Sequence, residues 1–524
     1  MRFVSLSTFL FLAVASQAAV AQHDAHRMFT LVGPTATENF GAAQAVAGDI
    51  NLDGCADIVI GARYANANAG AVYVFSGRNG ALLYTFNGTA VSGQLGYVVS
   101  GAGDVDRDGF PDIVAGAPYA NGSTGQVVVF SGRTGAVIWT LNGVSSGERF
   151  GFSVGDAGDV NRDGNADVIV GVPSGNAGTG QAVVFSGKDG KVLYTFNGDS
   201  AADSFGQSVD GAGDVNLDGF PDLVAGAPLD DNNGTSSGMV RLLSGKDGSI
   251  LRSIDGAAGE QLGFWVSGGG DINRDAFADV VASAYGANRV DTYSGRDGTR
   301  IWGYVGQAGE SFGWTCAGAG DVDKDGYADF IGGKGSASST TDPGVSRVIS
   351  GRTGQALLTF QGYQVGGGGD INGDGYSDVI AGTWLLNGVC WVYSGKQLSL
   401  RSDVHEIPLT TGGTQNLTLD AGVAQANRNY WIFGSVTGTK PGITLQGVDI
   451  PLNPDPYTDL LIANINAPNF VRFRGTLDAN GAATAALQVP NNLPPGSITL
   501  YHAFLVYNGS TFYMASNGAS VLLK

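Results

Sequence analysis

One ten-residue stretch recurs along the chain and limits what the chain can fold into. It reads most cleanly as Gly213-Asp214-Val215-Asn216-Leu217-Asp218-Gly219-Phe220-Pro221-Asp222, with near-copies starting at Asp49, Asp104, Asp159, Asp271, Asp321 and Asp370. Counted from the first aspartate, each copy has a carboxylate at positions one, five and nine, and Asp or Asn at position three. Oxygens at alternating positions of a tight loop suit a hard cation, and Ca²⁺ takes about six to eight of them at ~2.3–2.6 Å. Glycine at position six permits the sharp turn, because positive φ is cheap only without a side chain. Position seven varies freely, as expected if its backbone carbonyl is the ligand.

The expected ligands are therefore Asp49, Asn51, Asp53, Cys55 and Asp57 in the first loop, and Asp104, Asp106, Asp108, Phe110 and Asp112 in the second. The third and fourth supply Asp159, Asn161, Asp163, Asn165, Asp167 and Asp214, Asn216, Asp218, Phe220, Asp222. The fifth has Asp271, Asn273, Asp275, Phe277 and Asp279, with Ala276 in place of the glycine, which predicts the weakest site. The last two have Asp321, Asp323, Asp325, Tyr327, Asp329 and Asp370, Asn372, Asp374, Tyr376, Asp378. That makes up to seven Ca²⁺ ions. An EF-hand would need an acid at position twelve, which here is Ile60, Ala115, Val170, Ala225, Ala282, Gly332 or Ala381. Each loop also runs into a β-like stretch instead of a helix. The EF-hand is rejected.

The loops recur every 49 to 57 residues, a period that means a propeller or solenoid. In the second unit the expected strands cover 95–103, 113–118, 126–131 and 136–142, with Gly and Asn marking the turns. Four strands in sequence make a meander, and seven such sheets set radially make an all-β, seven-bladed β-propeller over 28–396. The seventh unit lacks a fourth strand, and residues 28–33 before Phe40 match the missing one, so they are expected to pair with the sheet of 363–395. Antiparallel order puts the Asp loops and the Ser-Gly-x-x-Gly turns on one face. The more variable connectors, such as 229–234 and 336–343, fall on the other, where recognition is expected. Between the sixth and seventh units that connector nearly vanishes at Phe360-Gln361-Gly362, which predicts a notch.

Phe-Gly at 150–151, 205–206 and 312–313, with Gly-Ala-Pro at 116–118 and 226–228, resembles the FG-GAP repeat of the integrin α-subunit propeller. The resemblance covers 28–396. It implies a seven-bladed propeller with Ca²⁺ loops on one face and ligand recognition on the other. Blades five to seven depart from it, with Ser283-Ala284-Tyr285, Gly333-Lys334-Gly335 and Gly382-Thr383-Trp384 at the Gly-Ala-Pro place. The fold and the metal loops carry over, and the ligand does not.

Composition narrows the function. The chain of 524 residues has 85 glycines and a net charge of −19, and such acidity argues against nucleic acid, which needs a basic surface. The loops hold 23 of the 47 acidic residues, so seven bound Ca²⁺ ions would offset most of that charge. Residues 1–21 read as a secretory signal with cleavage after Ala21, and no later run is long enough to span a membrane. The protein is expected to be secreted, or held in the periplasm or at the cell surface. Three cysteines, Cys55, Cys316 and Cys390, make a poor disulfide framework and are expected to be free and mostly buried. Residues 400–524 read as a small C-terminal β-sandwich.

No catalytic residue is expected. Gly-x-Ser-x-Gly occurs around Ser153 and Ser236, but the four histidines, His23, His26, His405 and His502, all lie outside the loop-bearing units. Asp230 and Asp231 are expected to be solvated loop acids, and Trp265 and Trp314 to pack near the central channel. The favoured reading is an adhesion or binding module for an extracellular protein or glycan, with Ca²⁺ structural and oligomeric state open. An extracellular lyase or hydrolase using the loop-rich face, or a structural envelope protein, are the alternatives.

Overall fold

The computed structural model describes residues 23–24, 26–35, 37–335, 344–384 and 388–395. Beyond these it describes 399–402, 406–408, 410–421, 427–436, 443–445, 448–450, 457, 468–479, 481–489, 498–508, 511–515 and 519–523. The expected signal at 1–21, the connector at 336–343 and the boundary at 396–398 lie outside the described residues.

Up to residue 394 the described chain forms seven sheets, one per Asp loop: six hold antiparallel four-strand meanders, and the seventh has three consecutive strands completed by an N-terminal one. The second is typical, with strands Val98–Gly103, Asp112–Ala117, Gln126–Phe130 and Val137–Asn142 pairing in sequence order. Its second strand is buried along its whole length, because neighbouring sheets cover both faces. The fourth alternates between exposed and covered residues, as an outer edge should. The first strands of successive sheets contact one another around a closed cycle. They run from Phe40–Val46 through Val98–Gly103, Ser153–Gly158, Ser208–Gly213, Leu262–Gly270 and Phe312–Gly320 to Gln364–Gly369, and back to the start. This is a β-propeller.

Glycine makes the close packing possible. A Cβ on Gly116 would lie 2.1 Å from the carbonyl oxygen of Gly151 in the next sheet, and Gly61, Gly171 and Gly226 meet their neighbours in the same way. At the last junction the order is inverted. Tyr363 N–H donates to Gly382 O (3.0 Å), as Gly96 N–H does to Gly116 O (3.1 Å), so Gly362-Tyr363 stands where other blades have Phe-Gly or Leu-Gly. The side chain of Tyr363 is fully buried there, 5.7 Å from the Trp384 ring, where the short connector had predicted a notch.

The ring closes as the sequence predicts. Strand His26–Val32 pairs antiparallel with Val389–Ser394, placing Leu31 opposite Cys390 and completing the seventh sheet. Closure removes an open edge that would otherwise invite pairing with another chain. One pairing is unforeseen. His23–Asp24 runs parallel beside Leu358 and Thr359, so the N-terminal segment touches two sheets.

After the propeller the described residues form a two-stranded ribbon, Ile443–Leu445 with Val448–Ile450, and two larger sheets. One orders Ser399–Ser402, Gly413–Asp420, Ala482–Val489 and Phe470–Val471, and the other is built on Ile498–Asn508 and Asn429–Ser435. Leu417, Leu487, Ile432 and Phe504 from both sheets share one buried cluster.

Candidate metal centre

In each loop the ninth-position aspartate is the anchor. Asp57, Asp112, Asp167, Asp222, Asp279, Asp329 and Asp378 have no exposed surface. In Asp57, Oδ2 accepts the N–H of Ile50 at 2.9 Å and Oδ1 accepts that of Gly77, in the Ser-Gly-x-x-Gly turn, at 3.0 Å. The other six repeat both bonds, through Gly132, Gly187, Gly245, Gly295, Gly351 and Gly395. The loop and the turn are therefore stapled together on one face. Burial pushes these carboxyls up against the opposing backbone bonds, to about 6 in Asp57 and Asp222 and to about 8 in Asp378. A buried carboxylate with no neighbouring positive charge fits a cation.

The other acids fold the loop around its own centre. Asp49 accepts the N–H of Asp53 (2.9 Å) and of Gly54 (2.7 Å), Asn51 that of Asp53, and Asp53 that of Cys55. The pattern recurs in every loop, including the fifth, where Ala276 N–H reaches Asp271 at 2.9 Å. In the second and sixth loops, one carboxylate oxygen each from Asp104, Asp106 and Asp108, and from Asp321, Asp323 and Asp325, lies within 4.8 Å of the others. Where Asn holds position three, its oxygen faces the loop in the same way. Asn372 turns its amide nitrogen outward to Met28 and Ser394. This all-oxygen donor set suits a hard divalent cation.

Position seven contributes a side chain as well as a carbonyl to each loop. Burial, with the Asp53 charge beside it, pushes the Cys55 thiol up to about 11, so in the metal-free loop it stays a protonated thiol at neutral pH. The rings at this position are capped by cations. Arg162 sits 3.8 Å from the Phe220 ring centre, Arg274 lies 5.3 Å from Tyr327, and Lys324 lies 4.3 Å from Tyr376. Each cation is at position four of one loop and reaches the next blade. Sequence reasoning missed this, although Arg107, Arg162, Arg274 and Lys324 at one shared position are a visible signal.

The opposite face has different chemistry. Tyr97 packs 5.8 Å from Tyr119 and 5.1 Å from Phe152, with Arg63 and Arg149 over the tyrosines. Phe264, Tyr285 and Trp314 form a second group with ring centres 5.0–5.4 Å apart. Trp265, one residue along its strand, turns the other way and packs in the core near Phe330, so the two tryptophans are not equivalent. Asp231 is exposed, but Asp230 is buried and accepts both the backbone and the side-chain N–H of Asn232, which corrects its reading as solvated. Burial, then the acids around it, pushes Asp230 up. Ser153 Oγ is buried and donates to Gly206 O, an architectural role. His502 is buried beside Tyr457, 2.8 Å away. His405 lies outside the described residues. The three cysteines are free and buried.

The FG-GAP repeat family matches residues 40–75, 95–130, 151–185 and 205–243, the first three strands of each of the first four blades. The chain carries FG-GAP repeats. Among curated proteins, they are similar to integrin alpha-5 of Xenopus laevis, 33% identical over 208 residues, covering 36% of this chain and 20% of that protein. Integrin alpha-V of Gallus gallus is 32% identical over 199 residues, 34% of this chain and 19% of that protein. The match thus spans about a fifth of each relative. Among solved structures, one titled "Structure of Dos1 propeller" aligns at a TM-score of 0.40 and 14% identity, covering 64% of this chain and 74% of that one. The FG-GAP matches stop at 243, before Ala276 and the lost Gly-Ala-Pro signatures of the later blades, whose sheets nevertheless keep the same strand order. Among the described residues no helix is long and apolar enough to cross a membrane.

Proposed function

We propose that this is an exported, Ca²⁺-stabilised, seven-bladed propeller over 28–396 whose loop-rich face binds an extracellular protein or glycan. A C-terminal β-sandwich over 400–524 follows it. One observation carries the reading: the two ends of the sheets are chemically segregated. The Asp loops are stapled to the turns at one end, while half-buried aromatics, arginines and acids gather at the other. Rigid scaffolds with varied loops at one end are where recognition concentrates. The similarity to integrin alpha subunits supports a binding or adhesion module.

The test is a screen of the full chain against immobilised glycans and extracellular proteins, with Ca²⁺ and with chelator. Binding should weaken in Tyr119→Ala and Trp314→Ala and stay unchanged in Leu217→Ala, an exposed residue on the metal face. A ligand held equally by all three variants would place recognition elsewhere. Isothermal titration with Ca²⁺ and with Mg²⁺ tests the ion, and preference for Mg²⁺ would refute the assignment of Ca²⁺.

A further inference from the structure

Backbone hydrogen bonds join neighbouring loops. At five junctions the position-eight N–H of one loop donates to the position-one carbonyl of the loop before it. These are Ala166 to Asp104 (3.0 Å), Ala278 to Asp214 (3.2 Å), Ala328 to Asp271 (3.1 Å), Ser377 to Asp321 (3.4 Å) and Ala56 to Asp370 (2.9 Å). The position-eight N–H belongs to the same peptide unit as the position-seven carbonyl, the expected metal donor. The accepting carbonyl shares a peptide unit with the position-two N–H, which donates to that loop's ninth-position carboxylate. Between the third and second loops the path runs from the carbonyl of Asn165 through Ala166 N–H, Asp104 O and Val105 N–H to Asp112 Oδ2, the last step 2.8 Å. Two peptide units thus link a donor in one loop to a donor in its neighbour, and chains of hydrogen bonds polarise one another.

At the other two junctions position eight is Pro111 or Pro221, and proline has no N–H. At Pro221 the neighbouring Arg162 instead donates to Gly219 O, which is not an expected ligand. At Pro111 position four of the preceding loop is Leu52, exposed and uncharged. A cleft of about 310 Å³ opens there, lined by Ile50, Asn51, Phe110 and Arg133 among others.

We infer that metal binding is coupled between neighbouring loops wherever this relay exists and is cut at the two prolines. Loops two and three form one coupled block, and loops four, five, six, seven and one form the other. The inference rests on the metal reading above. It predicts an order that follows hydrogen bonds and not position in the sequence: loop one answers to loop seven and ignores loop two.

The experiment is hydrogen exchange of the full chain during Ca²⁺ titration, read loop by loop by mass spectrometry. Disabling loop two with Asp108→Ala should raise the Ca²⁺ midpoint of loop three by about fivefold or more, the lower range of allosteric couplings, and leave loop one unmoved. Asp374→Ala in loop seven should raise that of loop one. Pro111→Ala restores the missing donor, so in that background Asp108→Ala should shift loop one as well. If loop one shifts with loop two while Pro111 is intact, or no neighbour shifts in either single variant, the relay is overturned. If no loop of the unaltered chain gains protection from Ca²⁺, the metal reading itself fails.

Discussion

Ala276 holds the left-handed turn that glycine makes in the other six loops, with φ 75° against 81–89°. A side chain in that conformation costs roughly 1–2 kcal/mol, offset by about 0.4–1 kcal/mol because alanine restricts the unfolded chain more than glycine does. Ala276→Gly should therefore stabilise the metal-free protein by roughly 0.5–1 kcal/mol in urea denaturation, and fill the fifth site at lower Ca²⁺. A crystal soaked at limiting Ca²⁺ in which the unaltered fifth loop fills first would contradict this. Asp210 makes a second case. Its carboxylate lies between the first strands of three sheets, close over Gly155 and accepting N–H bonds from Gly211 and Gly268. Burial pushes it up to about 6, with Asp156 adding to the rise. Between about pH 4 and 6 the folded state keeps a proton that the unfolded chain has released, so stability falls as pH rises through that window. Asp210→Asn should flatten the slope there, measured at saturating Ca²⁺ to hold the loop acids ionised. An unchanged slope would mean that Asp210 is already ionised at pH 4.

Strands show where sequence suffices and where it does not. The Val- and Ile-rich runs and the Gly and Asn punctuation of 95–142 place all four strands of the second sheet to within a few residues. The N-terminal closing strand was legible because Phe29-Thr30-Leu31-Val32-Gly33 repeats a fourth-strand pattern. The parallel pairing of His23–Asp24 was not, since two residues carry no period. Nor was the burial of Asp230, which depends on how one connector folds back on itself. The inverted Gly362-Tyr363 escaped notice because it is defined by the backbone bond it makes and not by its residues. Closure can be measured. Leu31 is buried with Phe40, Ile58 and Cys390, residues of both the first and the last sheet. Leu31→Ala should cost about 2–5 kcal/mol, as for other buried leucines, whereas neighbouring Val32, 58% exposed, should tolerate alanine. A loss equal to that of Val32→Ala would show that the closing strand contributes nothing to the ring.

At the scale of the whole ring, acids and metal oppose each other. Each loop carries three or four acids, which converge within 4.8 Å in the second and sixth, and each buries its ninth-position aspartate, so without cations the acids repel one another. If the sites bind Ca²⁺ in the millimolar range of extracellular modules, a tenfold excess stabilises each by RT ln 11, about 1.4 kcal/mol. Seven independent sites then give on the order of 10 kcal/mol, comparable to a domain's whole stability. Coupling along the relay would change how steeply that stability is gained with Ca²⁺. Chelation should accordingly lower the melting temperature of the propeller by well over ten degrees, since about 1 kcal/mol moves Tm by ~2–4 °C in a domain of 150–250 residues and by less in a larger one. Restored Ca²⁺ should reverse the loss, and Mg²⁺, which demands a tighter octahedral shell, should restore less of it. A melting temperature indifferent to chelator would remove the reason for seven aspartate loops to be held so alike.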